Sequence, residues 1–309
     1  MERKNIIIIG SNNMDMVVKT THIPDHGETV LGGSFFMNPG GKGANQAVAV
    51  ARLGGNAIFV SKMGNDVFGK QAFQLFNEEG INTRFMISDE ELPSGVALIT
   101  VDEKGENSIV VAPGANANLQ PIDVEPALKD TKNIGVILLQ LEIPIHTVQF
   151  AVKEASLAGI TVIVNPAPAA VLSQDMLSHI DILTPNRTEA SMLSGIEVTT
   201  MESAVEAAHA IKKKGVKNVV ITMGVMGAVV LDGESCSIIP AVQVQAVDTT
   251  AAGDVFNGAL AVALSEKRNL ESAVQFACEA AAISVTKLGA QSSIPYRNEV
   301  IIQKLVNEA

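Results

Sequence analysis

The sequence predicts an α/β protein with a doubly wound, mainly parallel central sheet and helices on both of its faces. Two observations lead to this prediction. Short runs of branched apolar residues recur along the chain, and longer segments with apolar residues at helical spacing separate them. The first run, Ile6 to Ile9, contains no polar residue, which is typical of a strand buried on both faces of a parallel sheet. Strands that alternate with helices form βαβ units, and successive units extend one sheet.

The individual elements follow from the same patterns. After the first strand, further strands are predicted at residues 57–60, 136–139, 161–164, 180–183 and 218–222. Helices are predicted at residues 45–53, 68–79, 147–157, 187–193, 203–214 and 255–264. Gly54-Gly55 and Gly80 end the first two helices, because glycine readily adopts the left-handed conformation that follows a last helical turn.

Two β-rich stretches interrupt this alternation. Residues 12–36 hold short strand-like pieces at 16–18 and 29–30. Residues 95–111 hold two strand-like runs, joined by the polar segment Asp102 to Glu106 as in a β-hairpin. We expect the two stretches to pair as a small antiparallel sheet that stands off the main domain. A lid over a cleft and an ordinary surface excursion fit the sequence equally well.

Composition excludes several classes of protein. Hydrophobic residues make up 47% and charged residues 18% of the 309 residues, which excludes a disordered chain. The net charge of −11 argues against a nucleic-acid partner, which would need a basic face. Cys236 and Cys278 are too few for a disulfide framework or a zinc cluster, and the five histidines lack metal-ligand spacing. No apolar run has the length of a signal peptide or a membrane span, and no linker or repeat divides the chain, so we expect one cytoplasmic domain, residues 1–309, without membrane partners.

A glycine-rich segment, Asn38 to Asn45, is the first candidate site. Glycines beside Lys42 at a helix start let backbone N–H groups approach a ligand closely. The segment is not a phosphate-binding Walker A loop, because Phe36 occupies the position of the first glycine and Gly43 follows the lysine. Lys42 and Asn45 would present polar groups to a small ligand; the alternative is a glycine-rich turn that only leads into a helix.

A second candidate site, Gly10 to Asp15, follows the first strand and therefore lies at a carboxyl end of the sheet, where ligands bind in open α/β sheets. The segment lacks the GxGxxG spacing of a dinucleotide site. Asn13 and Asp15 suit hydroxyl groups of a polyol, and the alternative is an Asx turn that bonds its own backbone.

The strongest candidate is Asp248 to Asp254, which leads into an apolar helix. The small residues before Asp254 leave the first N–H groups of that helix uncovered, as in an anion hole. Asp254 could accept a proton from a hydroxyl brought alongside. The alternative is an aspartate that only stabilises the helix dipole.

Two further strand ends carry candidate groups. Asn186 and Glu189 are three residues apart, hence on one helix face, as a Mg²⁺–water shell would need; a capping box explains the same spacing. Residues 222–227 form a glycine loop that could face a nucleotide, or could be only a turn.

Four segments in this order resemble the PfkB-type carbohydrate kinase family: Gly-Ser-Asn-Asn-Met-Asp, Gly-Gly-Lys-Gly-Ala-Asn-Gln-Ala, Thr-Pro-Asn-Arg-Thr-Glu and Asp-Thr-Thr-Ala-Ala-Gly-Asp-Val-Phe-Asn-Gly-Ala. The resemblance spans essentially the whole chain, and the second segment and Lys287 to Ser293 point to the members that phosphorylate D-ribose. It implies ATP-dependent transfer of a phosphoryl group to the primary hydroxyl of D-ribose, giving D-ribose 5-phosphate. The alternatives are kinases of 2-deoxyribose, fructose or nucleosides, and a sugar-binding sensor without catalysis.

The resemblance also implies a role for each matching residue. Asp254 would be the general base, with an anion hole at Ala251, Ala252 and Gly253. The sugar site would consist of Asn13, Met14, Asp15, Gly41, Lys42, Gly43, Ala44, Asn45, Glu142 and Asp254. The ATP site would consist of Asn186, Thr222, Met223, Gly224, Val225, Met226, Gly227, Gly253 and Cys278, although the family often has a polar residue at the last position.

Metal ions and a partner are implied as well. Glu189 would organise Mg²⁺ through water. A monovalent cation, K⁺ in our expectation, would be held, in part through backbone carbonyls, by Asp248, Thr250, Ser284, Lys287, Gly289 and Ser293. The two β-rich stretches would form the family's lid, about residues 12–36 and 95–111, and would pair two copies of the chain as a homodimer.

Overall fold

The computed structural model describes residues 3–301, which form two β-sheets and the helices packed on them. The strands are β1 (Asn5–Ile9), β2 (Asn13–Lys19), β3 (Phe35–Gly40), β4 (Asn56–Gly64), β5 (Asn82–Asp89), β6 (Gly95–Val101), β7 (Asn107–Ala112), β8 (Ile134–Leu139), β9 (Thr161–Val164), β10 (Ile182–Leu183), β11 (Asn218–Thr222), β12 (Ala228–Asp232) and β13 (Ser235–Ile239). The helices are α1 (Lys42–Arg52), α2 (Val67–Glu78), α3 (Pro121–Asp130), α4 (Ile145–Leu157), α5 (Gln174–Ser178), α6 (Arg187–Ser194), α7 (Met201–Lys212), α8 (Ala252–Ser265) and α9 (Leu270–Ser284). Within the described part of the chain, no helix is long and apolar enough to cross a membrane.

The central sheet confirms the predicted fold class. Its nine strands follow the order β13-β12-β11-β10-β9-β8-β1-β4-β5, and all neighbours are parallel except the pairs β11–β12 and β12–β13. The strand order reverses on either side of β1, since β4 and β8 are its two neighbours. Loops that follow β1 therefore lie at a point where open α/β sheets bind ligands.

The isoleucine run of β1 shows why the sheet is covered on both faces. Ile6 and Ile8 belong to one core cluster, which includes residues of α1, α8 and α9. Ile7 and Ile9 belong to the other cluster, which includes residues of α3, α4 and α7. All four side chains are completely buried, and burial of each stabilises the fold by about 1.5–3 kcal/mol. The run lacks polar alternation because both of its faces contact helices.

Several elements differ from the sequence-based expectation. Helix α1 begins at Lys42 rather than at residue 45, because the chain turns at Gly41, whose φ is 89°, and the Ala44 N–H then bonds the carbonyl of Ser11. The patterns missed β5, β12, β13, α3, α5 and α9. Helix α3 contains Pro126, and proline inside a segment is a helix-breaking signal. Helix α9 is so rich in alanine that its sequence shows no clear apolar periodicity.

The small sheet has the order β3-β2-β6-β7. The hairpin β6–β7 and the pair β2–β3 are antiparallel, as expected, whereas the central pair β2–β6 is parallel. The reason is that β2 follows β1 and β6 follows β5, and both preceding strands run in the same direction in the central sheet. The predicted piece at residues 29–30 is not a strand; β3 begins at Phe35 instead.

Candidate active site

Glycines allow the start of α1 to pack directly on the loop after β1. A Cβ atom at Gly43 would lie 2.6 Å from the carbonyl carbon of Gly10, and one at Gly41 would lie 2.8 Å from the backbone nitrogen of Asn13. Neither clash could be relieved by moving a flexible side chain. The glycine-rich segment thus brings the first turn of α1, with Lys42 and Asn45, against the carboxyl edge of the sheet.

Asp254 lies in the first turn of α8 and faces this part of α1. Its side chain is buried, and both of its oxygens accept amide hydrogen bonds: Oδ2 from Asn45 Nδ2 at 2.9 Å and Oδ1 from Gln46 Nε2 at 3.0 Å. Gln46 also donates to Asn165 Oδ1 at 3.3 Å and accepts from Gln140. The carboxylate is therefore bonded at both oxygens, and one of its two donors, Gln46, is itself held by further hydrogen bonds.

The N-terminus of α8 is open. Ala251 precedes it in the left-handed conformation, at φ 61°, and no side chain among residues 3–301 caps the helix. The first amides of a helix have no carbonyl partner within it. A Cβ atom at Gly253 would meet nothing within 4 Å, so the space in front of these amides is free. An anion placed there would lie one helical turn or less from the Asp254 carboxylate.

The charged groups of the site influence one another strongly. Burial raises the pKa of Asp15 to about 6, helped by the charges of Glu142 and Asp254 and opposed by Lys42. Burial also raises the pKa of Asp254, against the effect of Lys42 and the two amides. Burial lowers the pKa of the Lys42 ammonium, yet nearby carboxylates outweigh this and hold it above its ordinary value: Asp254, Glu142, Glu189 and Asp15. Lys42 is thus a protonated centre among carboxylates.

One face of the small sheet turns towards these charges. Asn13 pairs with Gly40 and with Gly95 on the neighbouring strands, and Asp15 lies two residues further along β2, so the four share a face. A Cβ atom at Gly40 would lie 2.2 Å from Asp15 Oδ2, which shows that the absent side chain makes room for this carboxylate. The amide of Asn13 and the carboxylate of Asp15 therefore stand together beside Lys42.

Glu142 joins the loop after β1 to α1. Its Oε2 accepts from Ser11 Oγ at 2.5 Å and from the backbone N–H of Lys42 at 3.0 Å. This places the Glu142 carboxylate close enough to Asp15 and Lys42 to raise the pKa of both.

Two residues assigned to the sugar site point elsewhere. The side chain of Met14 lies on the opposite face of β2 and lines a separate cavity of about 340 Å³ between the small sheet and α2, together with Met37, Pro39 and Leu75. Ala44 is completely buried in the core beside α8. Only the backbones of Met14 and Ala44 remain available to a ligand on the Asp15 side.

A cavity of about 510 Å³ lies on the other side of the open helix N-terminus. It brings together most of the residues assigned to ATP: Asn186, Thr222, Gly224, Val225, Gly227, Gly253 and Cys278. Met223 is not among them, because its side chain is buried in the core, and Met226 packs partly against the same core. Burial raises the pKa of the Cys278 thiol to about 12, so this wall of the cavity is neutral.

Glu189 takes part in the capping box that the sequence left as an alternative. Its backbone N–H donates to Asn186 Oδ1 at 2.9 Å, its Oε2 accepts from the Asn186 backbone N–H at 2.9 Å, and its Oε1 accepts from Asn186 Nδ2 at 2.9 Å. Burial raises its pKa, and Lys42 and Asp254 both act on it. Because both oxygens already accept hydrogen bonds, this carboxylate suits Mg²⁺ only through a bridging water, as Mg²⁺ commonly permits.

The residues assigned to a monovalent cation lie in two segments, one just before α8 and one that runs from the end of α9 to the 3-10 turn Gln291–Ser293. Asp248 Oδ1 accepts from the Thr250 N–H at 2.9 Å and hydroxyl at 2.6 Å, and Oδ2 accepts from the Gly289 N–H at 2.9 Å. These bonds hold the pKa of Asp248 below its ordinary value despite the opposing effect of burial. The Ser284 hydroxyl donates to the carbonyl of Ala281, and the Ser293 hydroxyl donates to the carbonyl of Ala290. Each hydroxyl oxygen could therefore offer a cation only its lone pairs.

The Lys287 ammonium pairs with the Glu299 carboxylate at 2.5 Å. The backbone carbonyl of Lys287 is therefore the group that could coordinate a cation. Oxygen donors of this kind suit a hard cation. Within residues 3–301, no three His, Cys, Asp or Glu side chains cluster as a metal site by themselves.

Comparison with known proteins identifies the family. Residues 3–297 match the pfkB family of carbohydrate kinases. The chain belongs to this family. It is therefore an ATP-dependent sugar kinase, a phosphotransferase whose acceptor is an alcohol group.

Relatives of this pfkB-family kinase extend over nearly its whole length. A ribokinase of Haemophilus influenzae is 44% identical and covers 97% of the chain and 98% of that protein. A deoxyribokinase of Salmonella typhi is 38% identical and covers 94% of the chain and 95% of that protein. The structure of an Arabidopsis thaliana ribokinase complexed with ribose and ATP has a TM-score of 0.90 at 33% identity, covering 98% of each chain.

Sequence reasoning missed several polar residues of this kinase: Ser11, Gln46, Asn116 and Gln140. Gln46 follows directly after Asn45 within a quoted motif, so its position gave a usable signal. Asn116 and Gln140 gave none, because they lie outside the motifs and reach the site only through the fold. Residues 241–244 and Ala246 line the 510 Å³ cavity and were missed for the same reason. Phe256 lines the cavity too and was missed although it lies within the last quoted motif.

Proposed function

We propose that this protein transfers the γ-phosphoryl group of ATP to the primary hydroxyl of D-ribose, giving D-ribose 5-phosphate and ADP. The observation that supports this most is the position of Asp254. It lies between an open helix N-terminus and the polar cluster of Asn13, Asp15 and Lys42, groups that can bind several hydroxyls of one small polyol.

The proposed reaction uses Asp254 as the general base. As the sugar oxygen bonds the γ-phosphorus, the hydroxyl proton passes to the Asp254 carboxylate, and the bond between the γ-phosphorus and the bridging oxygen of ADP breaks. The amides at the start of α8 donate to the oxygens of the transferring group, where preorganised donors stabilise charge most effectively. Asn45 and Gln46 hold the carboxylate, and its raised pKa makes it a better proton acceptor than an exposed aspartate.

The cofactors follow from the same residues. Bound Mg²⁺ would neutralise charge on the ATP phosphates, with Glu189 and Asn186 orienting its water shell from the capping box. The Asp248 loop would hold the monovalent cation, K⁺ in our proposal, and would thereby order the segment that leads to Ala251.

The small sheet is the proposed lid and dimer surface. Strand β7 is an edge strand on which every residue is exposed, and it carries Ile109, Val110 and Val111. Such an edge pairs readily with another strand. We propose that two copies join through these sheets, in the cytoplasm, and that closure of the lid excludes water from the sugar. Sedimentation equilibrium should give twice the 32.4 kDa chain mass, and Val110→Asp should shift it to the monomer.

The function is tested by incubating the protein with ATP, Mg²⁺ and a panel of ribose, 2-deoxyribose, fructose and nucleosides, and by measuring ADP and the phosphorylated product. The proposal requires the highest kcat/KM with D-ribose and a product phosphorylated at the primary hydroxyl. A higher kcat/KM with 2-deoxyribose would assign the chain to the activity named for the Salmonella relative.

A further inference from the structure

Asn116 makes three hydrogen bonds to the loop that begins β2, although no motif includes it. It lies in the 3-10 turn Gly114–Asn118 and is 1% exposed. Its Oδ1 accepts the backbone N–H of Asn12 at 2.9 Å, and its Nδ2 donates to the Asn12 carbonyl at 3.0 Å and to Asn13 Oδ1 at 2.8 Å. The amide of Asn116 is thus used almost completely by two residues.

These bonds determine which way both amides point. A backbone N–H can only donate, so the Asn12 N–H fixes Oδ1 of Asn116 on its side and directs Nδ2 towards Asn13. Asn13 must then offer its oxygen to Asn116. The one side-chain hydrogen bond of Asn13 among residues 3–301 is this one, through Oδ1, so its Nδ2 is left for a ligand. Asn13 therefore presents a donor, not an acceptor, to a ligand on the Asp15 face.

The turn that carries Asn116 is fixed to the main domain. Ala115 N–H donates to the Pro93 carbonyl at 2.8 Å, Asn118 Nδ2 donates to Asp89 Oδ2 at 2.6 Å, and Lys62 Nζ donates to the Asn118 carbonyl at 3.1 Å. The bonds to Asn12 and Asn13 thus join the first strand of the small sheet to a rigid support.

Gly95 leaves the space that this arrangement needs. A Cβ atom there would lie 2.2 Å from Asn13 Oδ1 and 2.3 Å from Asn116 Nδ2. A side chain at this position would separate the two amides.

We infer that Asn116 is a positioning residue for sugar selection: it holds the amide of Asn13 so that Nδ2 donates to the oxygen of one sugar hydroxyl, the 2-hydroxyl of ribose. The inference rests on the proposed function. A sugar that lacks this hydroxyl leaves a buried N–H unsatisfied, which is how a polar site rejects an analogue. Without Asn116 the Asn13 amide can rotate, and the discrimination weakens.

The test compares the ratio of kcat/KM for ribose to that for 2-deoxyribose. Asn13→Leu should lower this ratio at least tenfold, and Asn116→Ala should lower it roughly fivefold. In the Asn13→Leu background, Asn116→Ala should leave the ratio unchanged, because it acts through Asn13. Asn118→Ala is the matched control: it removes a hydrogen bond from the same turn but none to Asn13, so the wild-type ratio should persist.

Each outcome separates the inference from the proposed function. Equal losses for both sugars in Asn116→Ala would mean that Asn116 only supports the fold, and would overturn the inference while ribose phosphorylation stands. An unchanged ratio in Asn13→Leu would overturn the role of Asn13 and the inference with it. A chain that phosphorylates no ribose at all would overturn the proposed function itself.

A second variant covers the case in which Asn116→Ala does not fold. Asn116→Asp keeps the size and the acceptor for the Asn12 N–H but removes both donors, so it should also lower the ratio. Its melting temperature confirms folding, and a wild-type ratio in folded Asn116→Asp would contradict the inference.

Discussion

The two halves of the site are built by different means. The sugar half consists of buried charged and amide side chains, with Lys42 among four carboxylates and shifted pKa values at Asp15 and Asp254. The nucleotide half is a 510 Å³ cavity walled mainly by small and apolar residues and by backbone. In the first half, the side chains of Asp254 and Asn13 bond buried amides that would be left unsatisfied without them, whereas the second half depends on its shape. Substitutions in the sugar half should therefore have much larger effects.

Asp254→Asn should show the largest effect. It removes the proposed base and keeps the shape, and the Asn45 amide can rotate to accept from the new NH₂ because Asn45 Oδ1 has no partner among the described residues. General-base catalysis contributes about 10²–10⁴-fold, so kcat should fall by that factor while ribose still binds. Steady-state kinetics with calorimetric ribose titration checks this.

The control for that variant is Asp175→Asn, an exposed aspartate in the first turn of α5, which should leave kcat unchanged. Near-normal turnover of the Asp254→Asn variant would contradict the assignment of Asp254 as the general base.

The affinity for ribose should fall about tenfold between pH 7 and pH 5. The pKa of Asp15 is raised to about 6, so the carboxyl gains its proton as the pH falls through that value and loses its capacity to accept from two sugar hydroxyls. The folded state then binds this proton more strongly than the unfolded state, so the contribution of Asp15 to stability rises as the pH falls through about 6. Unfolding driven by this group therefore cannot explain the loss of affinity.

Calorimetric dissociation constants for ribose between pH 8 and pH 5 test this, with the Asp15→Asn variant as the comparison. That variant should bind ribose weakly, and its affinity should depend much less on pH. A wild-type profile that is flat from pH 8 to pH 5 would contradict it.

Potassium should activate the enzyme about fivefold, at the lower end of coupling between separate sites, and Asp248→Ala should lose this activation. Asp248 bonds Thr250 and Gly289, so it ties together the loops that precede Ala251. Activity is compared in Tris without alkali ions, with KCl, and with tetramethylammonium chloride at equal ionic strength. Asp232→Ala, an exposed aspartate, serves as the control. Full K⁺ activation in the Asp248→Ala variant would show that the activating cation does not bind at this loop.

Cys278→Ala should show the smallest effect, because it alters the half of the site that depends on shape. The thiol is neutral, and removing one partly exposed apolar group costs less than about 0.8 kcal/mol, so KM for ATP should change less than about fourfold. A tenfold rise in KM, measured at saturating ribose, would show that the nucleotide half also depends on individual side chains.

The sequence by itself determined the fold class and the family, and it proposed most of the residues that the fold brings together in the candidate site. The isoleucine run of β1 indicated a strand covered on both faces, and the Asp248–Asp254 segment indicated an open helix N-terminus beside a carboxylate. These features are local: burial of consecutive residues and small side chains before a helix can be recognised in a few adjacent residues. The capping box of Asn186 and Glu189 is local as well, although its spacing alone did not distinguish it from a site for Mg²⁺.

Only the tertiary structure decided which of these groups meet. Gln46 and Asp254 are 208 residues apart in the sequence, and Asn116 and Asn13 are 103 apart. The parallel pairing of β2 with β6 and the position of the Met14 side chain on the α2 side of the small sheet likewise follow from how distant segments enter that sheet. Periodicity and motifs report on neighbours along the chain, whereas the orientation of a buried amide is set by whichever donors and acceptors the packing brings beside it.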